Sequence, residues 1–211
     1  MRFQDRKDAG IRLAEVLEPY QGEDVIVFAL PRGGVPLGVE IANKLKAPLD
    51  LMISKKIGHP LNPEYAICAI AEEGEPICNP FEMSRIDPTW LQAEAKRIRS
   101  EIKRRRKEYC GDKKQQDIEG KTVILVDDGI ATGSTMIAAI QEVKKHRPKK
   151  LVVAIPVTPY DTAQRLQELV DDLVSLDIDK NYLGAVGAYY QKFDQVEDSE
   201  VISLLESVKT K

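Results

Sequence analysis

The sequence predicts an α/β fold, a mainly parallel sheet flanked by helices, and three features carry that prediction. Short apolar runs alternate with helix-spaced segments along most of the chain. Residues 25–30 (VIVFAL) are apolar at every position, the pattern of a strand covered on both faces as in parallel sheets. The 211 residues, 43% hydrophobic and 31% charged, contain no internal repeat and no linker long or polar enough to divide them, so one domain is expected.

Each element has its own signal. Residues 5–18 place Ala9, Leu13, Val16 and Leu17 at helical spacing until Pro19 stops the pattern. Pro31-Arg32-Gly33-Gly34 ends the first strand sharply, and a short helix from about 36 to 46 leads to a second strand at 49–54 and a polar loop at 55–63. Residues 66–71 and 76–78 flank EEGE as a hairpin. Asp87-Pro88 is a cap and first-turn signature; Leu91, Ala95, Ile98 and Ile102 then line one helix face until Gly111 closes it. Strands at 122–126, 150–157 and 173–176 alternate with helices at 135–146 and 161–170.

Composition excludes several functions. Lys and Arg number 31 against 34 Asp and Glu, a net charge of −3, so no global positive field draws the chain to nucleic acid or an anionic membrane. Cys68, Cys78 and Cys110 are odd in number and too far apart for CxxC, and His59 and His146 are the only histidines; neither a disulfide framework nor a His/Cys zinc site is expected. The opening MRFQDRKDAG puts charges where a signal peptide has its apolar core, and no run of 18 apolar residues follows; a cytoplasmic protein is expected.

The chemical centre is VILVDDGIATGST, residues 123–135. An apolar strand runs into two adjacent carboxylates, a glycine turn, and small hydroxyl residues opening a helix. Ligands of open α/β sheets collect at the carboxyl ends of strands, and a helix amino terminus offers unpaired N–H groups to an anion. Ala131, Thr132, Gly133, Ser134 and Thr135 therefore form a phosphate cradle. Asp127 and Asp128 would repel that phosphate at contact, but can accept hydrogen bonds from sugar hydroxyls or hold a hard divalent cation. GxxxxGK[ST] and GxGxxG are both missing, which removes the Walker-type and dinucleotide readings.

This motif resembles the signature of the type I phosphoribosyltransferase family: four apolar residues, two acidic, two variable, then a small residue with Thr and Gly. The likeness covers most of the chain. FQDRKDAG, ALPRGGVPLG, the central motif and AVGAYYQKF together resemble a subgroup of stand-alone bacterial phosphoribosyltransferases. The resemblance implies a single domain over 1–211, with a helical insertion near 84–118 and a small hood from about 177–195. It also implies transfer of the phosphoribosyl group of phosphoribosyl pyrophosphate (PRPP) to a nitrogen acceptor with Mg2+, as in nucleotide salvage. Asp127 and Asp128 would bind the ribose hydroxyls and Mg2+, directly or through water, and 131–135 the 5-phosphate. Arg32, Gly33 and Gly34 would form the pyrophosphate loop, where a cis peptide recurs, expected here at Pro31-Arg32 or Arg32-Gly33. Lys55 and Lys56 fall where the family has a mobile catalytic flap. Lysine there would neutralise charge growing on departing pyrophosphate, and the choice between the two stays open.

Tyr182, Tyr189, Tyr190 and Phe193 cluster where family members build the hood, with Tyr182 and Tyr190 the acceptor-binding candidates, against core packing as the alternative. Family members acting on 6-oxopurines carry a third acidic residue where this chain has Ala131, which disfavours hypoxanthine and guanine. The helix at 88–110 is crowded with Lys and Arg. A solvated face with internal ion pairs is the default, nucleic acid is not the expected partner, and a subunit contact in a homodimer is a further use. The rival reading is a PRPP-sensing regulator that meets RNA or protein through this helix.

Overall fold

The computed structural model describes residues 2–208. In chain order it has α1 (Arg6–Val16), β1 (Val25–Ala29), α2 (Gly34–Leu45), β2 (Leu49–Leu51), β3 (Lys55–His59), β4 (Asn62–Ile70), β5 (Ile77–Cys78), α3 (Pro80–Met83) and α4 (Pro88–Cys110). There follow β6 (Thr122–Val126), α5 (Ser134–Lys145), β7 (Lys150–Pro159), α6 (Tyr160–Gln167), β8 (Asp172–Asp179) and α7 (Asp198–Ser207). The parallel α/β architecture read from the sequence is borne out. Five strands in the order β2-β1-β6-β7-β8 pair only in parallel, beside an antiparallel sheet β3-β4-β5.

Strands β1 and β6 are buried at every position because both faces are covered. On one face Val25, Val27, Ile124 and Val126 pack with Leu13, Leu37 and Ile41 of α1 and α2. On the other, Ile26, Phe28, Val123 and Leu125 pack with Met136, Ile140 and Leu166 of α5 and α6. The strand order also positions the site. From β1 the chain steps outward to β2 and later returns to β6 on the opposite side of β1, so the order reverses there, and the crevice at such a reversal is where open sheets bind ligands. With Ala29 beside Val126 in register, residues 31–34 and Asp127-Asp128 leave the sheet as neighbours.

Three expectations are corrected. The segment 55–63 is not a polar loop but the hairpin of β3 and β4, with only one covered face: Ile57 is buried and Lys56 exposed, too sparse an apolar pattern to register. Cys68 and Cys78 form a disulfide, since the expected EEGE hairpin puts them directly opposite on β4 and β5. An unforeseen C-terminal helix, α7, sets Val201 into a third core with Ile98, Ile102 and Tyr109 of α4 and Ile57 and Ile70 of the hairpin sheet. Helix α4 itself matches its signals: Asp87 caps Thr89 N–H at 2.9 Å, and Leu91, Ala95, Ile98 and Ile102 are its buried stripe.

Candidate active site

Asp127 and Asp128 directly follow β6, the burial-driven strand that delivers them to the sheet edge. Asp127 accepts from the Asp128 backbone N–H at 2.9 Å. Burial, then the neighbouring Asp128 charge, pushes the Asp127 carboxyl well above the usual aspartate range. Burial also raises Asp128, and the Arg6 guanidinium opposes that shift. Arg6 Nε donates to Asp128 Oδ2 at 2.8 Å, with both side chains nearly buried. Two crowded carboxylates thus share one close cation, and their hard oxygens suit a divalent metal or a pair of hydroxyls.

Behind them, Ala131 and Thr132 are exposed and Gly133 adopts φ 77°, a left-handed turn that starts α5 with no side chain over its first N–H groups. Thr162 of α6 donates to the Ala131 carbonyl at 2.9 Å, and Ser54 to the Thr135 carbonyl at 3.0 Å, which fixes the loop from both sides. The Thr132 and Ser134 hydroxyls lie 3.4 Å apart on its outer face. All five cradle residues therefore sit at one helix amino terminus, as the sequence predicts.

Across the crevice the Pro31-Arg32 peptide is cis, one of the two bonds expected to be so. Gly33 and Gly34 abut the acidic strand end so closely that a Cβ at Gly33 would collide with the Asp128 carboxylate, and one at Gly34 with the Val126 carbonyl. Glycine is required here by approach, not by turn type. The Arg32 guanidinium is not brought to the acidic pair; it lies 3.6 Å from Asp198 and 3.9 Å from Glu197 at the start of α7.

The two lysines separate. Lys55 donates to Glu101 of α4. Lys56 is exposed and lines, with Thr132, Ser134, Arg165, Tyr65 and Asn79, a cavity of about 680 Å³ between the hairpin and the cradle. In the C-terminal segment Tyr182 stacks on Tyr189 with centroids 5.5 Å apart, and its buried hydroxyl has no hydrogen-bond partner among the described residues. Burial and the Asp128 charge raise its phenol. Tyr190 instead lies buried between Phe3 and Phe193, its hydroxyl donating to the Asp128 carbonyl at 2.5 Å. It braces the acidic pair, with that hydroxyl already engaged. Arg6 escapes sequence reasoning, because its partner stands 122 positions away; the FQDRKDAG segment is the available signal.

The basic helix is paired in part. Arg97 pairs with Glu94 and Glu101, Arg104 with Glu108, and Arg106 with Asp50 and Glu72, while Arg99 donates to the Gly74 carbonyl. Among the described residues no helix is long and apolar enough to cross a membrane.

The family described as "Phosphoribosyl transferase domain" matches residues 4–192. A Mycobacterium tuberculosis protein named "Putative phosphoribosyl transferase Rv0571c" is 37% identical over 206 residues, 97% of this chain and 46% of that protein. The chain thus spans about half the length of that curated relative. The crystal structure of the Thermus thermophilus protein TT1426 superposes with a TM-score of 0.83 at 39% identity, covering 97% of this chain and 98% of that one. Hypoxanthine-guanine phosphoribosyltransferase of Bos taurus is 33% identical over 114 residues, 47% of this chain and 50% of that protein.

Proposed function

The chain belongs to the phosphoribosyl transferase family, and on that premise we propose that it moves the 5-phosphoribosyl group of PRPP to a nitrogen acceptor, a nucleobase, with release of pyrophosphate. The observation that carries this reading is the convergence of Asp127-Asp128, the cradle at 131–135 and the close-packed Gly33-Gly34 loop at the reversal of strand order. In the reaction the bond from ribose C1 to pyrophosphate breaks, positive charge grows on the ribose ring, and the acceptor nitrogen forms the new bond to C1 and gives up its proton to solvent.

The chain's own groups position and stabilise. The free N–H groups and hydroxyls of Ala131, Thr132, Gly133, Ser134 and Thr135 hold the 5-phosphate. Asp127 and Asp128 accept from the ribose hydroxyls and favour the developing positive ring by their charge. The amides of Gly33 and Gly34 and the Arg32 side chain face the pyrophosphate end, Arg32 exchanging its long contacts with Glu197 and Asp198 for the ligand. Lys56, free and turned to the cradle cavity, is the flap lysine of this reading, while Lys55 anchors the hairpin to α4. Mg2+ would be held by Asp127 and Asp128, whose two carboxylates have one close cation between them, and would supply neutralisation of the leaving pyrophosphate. Tyr182, with its unmatched hydroxyl, is the acceptor contact, and Tyr190 acts by bracing Asp128.

The reading is tested by magnesium-dependent pyrophosphate release from PRPP across a panel of nucleobases and small amines. One acceptor should accelerate release, and Asp128→Asn should remove the acceleration and weaken PRPP binding by about a hundredfold or more. PRPP binding without acceleration by any acceptor would replace the transferase reading with the sensor; no PRPP binding would overturn the site assignment.

A further inference from the structure

The FQDRKDAG segment has so far no task in the chemistry, yet the fold gives it a defined place. Asp5 caps α1 by accepting from Asp8 N–H at 2.9 Å, and Asp8 accepts from Gln4 N–H at 3.0 Å, so the first turn is tied to the residues just before it. Phe3 pairs with the C-terminal segment: its N–H donates to the Tyr189 carbonyl and its carbonyl accepts from Gln191 N–H, each at 2.8 Å. The start of α1 is thereby held against the segment that carries the hood aromatics.

Arg6 is the residue this arrangement aims. Its Nε donates to Asp128 Oδ2 at 2.8 Å and its Nη1 to the Asp194 carbonyl at 2.5 Å, while the guanidinium lies 3.9 Å over the Phe193 ring. Phe193 in turn packs on Tyr190 at 4.9 Å, and Tyr190 holds the Asp128 carbonyl. Arg6, Asp128, Tyr190 and Phe193 thus form a closed ring of contacts joining the carboxylate on one side to the C-terminal aromatics on the other. A planar guanidinium can donate in two fixed directions and stack flat on a ring at once; an ammonium keeps the charge and the donors but lacks that flat, fixed geometry.

We propose that Arg6 is a positioning residue for PRPP: it fixes the Asp128 carboxylate in the orientation that accepts a ribose hydroxyl, and Phe193 contributes by holding Arg6. The proposal rests on the reading of Asp128 as a ribose contact. Bound at Oδ2, the carboxylate has its plane set by the guanidinium.

The experiment is calorimetric titration of the full chain with PRPP in the presence of Mg2+, with melting temperatures recorded in parallel. Arg6→Gln should bind PRPP about tenfold more weakly, with Arg6→Lys between it and the wild type. Phe193→Leu should cost about threefold, and the Arg6→Gln/Phe193→Leu pair no more than Arg6→Gln alone, because the ring acts through the guanidinium. Affinity within twofold of wild type for Arg6→Gln, or losses that multiply in the pair, would overturn the proposal even if the melting temperature falls. Should Arg6→Gln fail to fold, Arg6→Lys carries the test: unchanged PRPP affinity overturns it. A wild-type chain that does not bind PRPP defeats the ribose-site reading itself, a different result from a wild type that binds and variants that bind equally well.

Discussion

Helix α4 and the end of β6 both concentrate charge of one sign, and the fold treats them in different ways. Helix α4 meets its charge with partners: Arg106, nearly buried, lies between Asp50 at 2.8 Å and Glu72 at 3.2 Å, and Arg97 and Arg104 pair along their own helix. At β6 two carboxylates are pressed together and given one close cation, Arg6, with Gly33 packed too closely against Asp128 for a side chain to stand there. The density of charge in a sequence is therefore a poor guide to chemistry. What counts is which groups the fold brings within reach: α4 sets Arg97, Arg104 and Arg106 against carboxylates, whereas the end of β6 sets two carboxylates side by side.

That contrast can be broken or sharpened by substitution. The largest effect is expected from Arg106→Ala, which strands Asp50 and Glu72 in a nearly dry setting; urea unfolding should show a loss of ~3–5 kcal/mol. A loss below ~1 kcal/mol would mean that the carboxylates find other partners and the neutralisation of α4 is looser than its contacts suggest. An effect of opposite sign is expected from Asp127→Asn. Its carboxyl is raised above the ordinary 3.8, so above that pH the folded state keeps a proton that the unfolded state gives up, and stability falls as pH climbs toward the folded value. Removing the ionisable group should stabilise the chain by ~1–2 kcal/mol at about pH 8 and by nothing at about pH 3, where both states are protonated. A melting temperature unchanged at the higher pH would count against a strained acidic pair. The smallest effect belongs to Arg104→Ala. That side chain is 66% exposed and pairs with Glu108 one turn on, so stability should move by less than ~0.5 kcal/mol. A larger loss would reveal that this face of α4 is covered by a partner.

Much of the frame is readable because it rests on local rules. The unbroken apolar runs of β1 and β6, the Asp87-Pro88 start and Gly111 end of α4, and the helix-opening ATGST are each decided within a few residues. The acidic pair is readable for the same reason. Failures come where the deciding partner is distant or the element is only half covered. The β3 strand buries one side chain of its central three, so KKIGH reads as loop. The Cys68–Cys78 bond depends on hairpin register, which a count of cysteines does not contain. The type of residue at Tyr190 is informative while its direction is not, since that depends on packing between Phe3 and Phe193. Arg6 cannot be paired with Asp128 from spacing at all.

The bridge between Phe3 and the Tyr189–Gln191 segment bears on how the molecule is made. Synthesis proceeds from the amino end, so the sheet and its acidic edge can assemble while Phe3 and Arg6 still lack their partners beyond β8. A nascent chain halted after β8 would own every strand of the central sheet and both aspartates, but not Tyr190, Phe193 or the Asp194 carbonyl. The contacts of Phe3 and Arg6 are thus deferred until the segment after β8 has been made, and the one from Arg6 to the Asp194 carbonyl spans 188 positions, the kind of distant pairing that forms slowly.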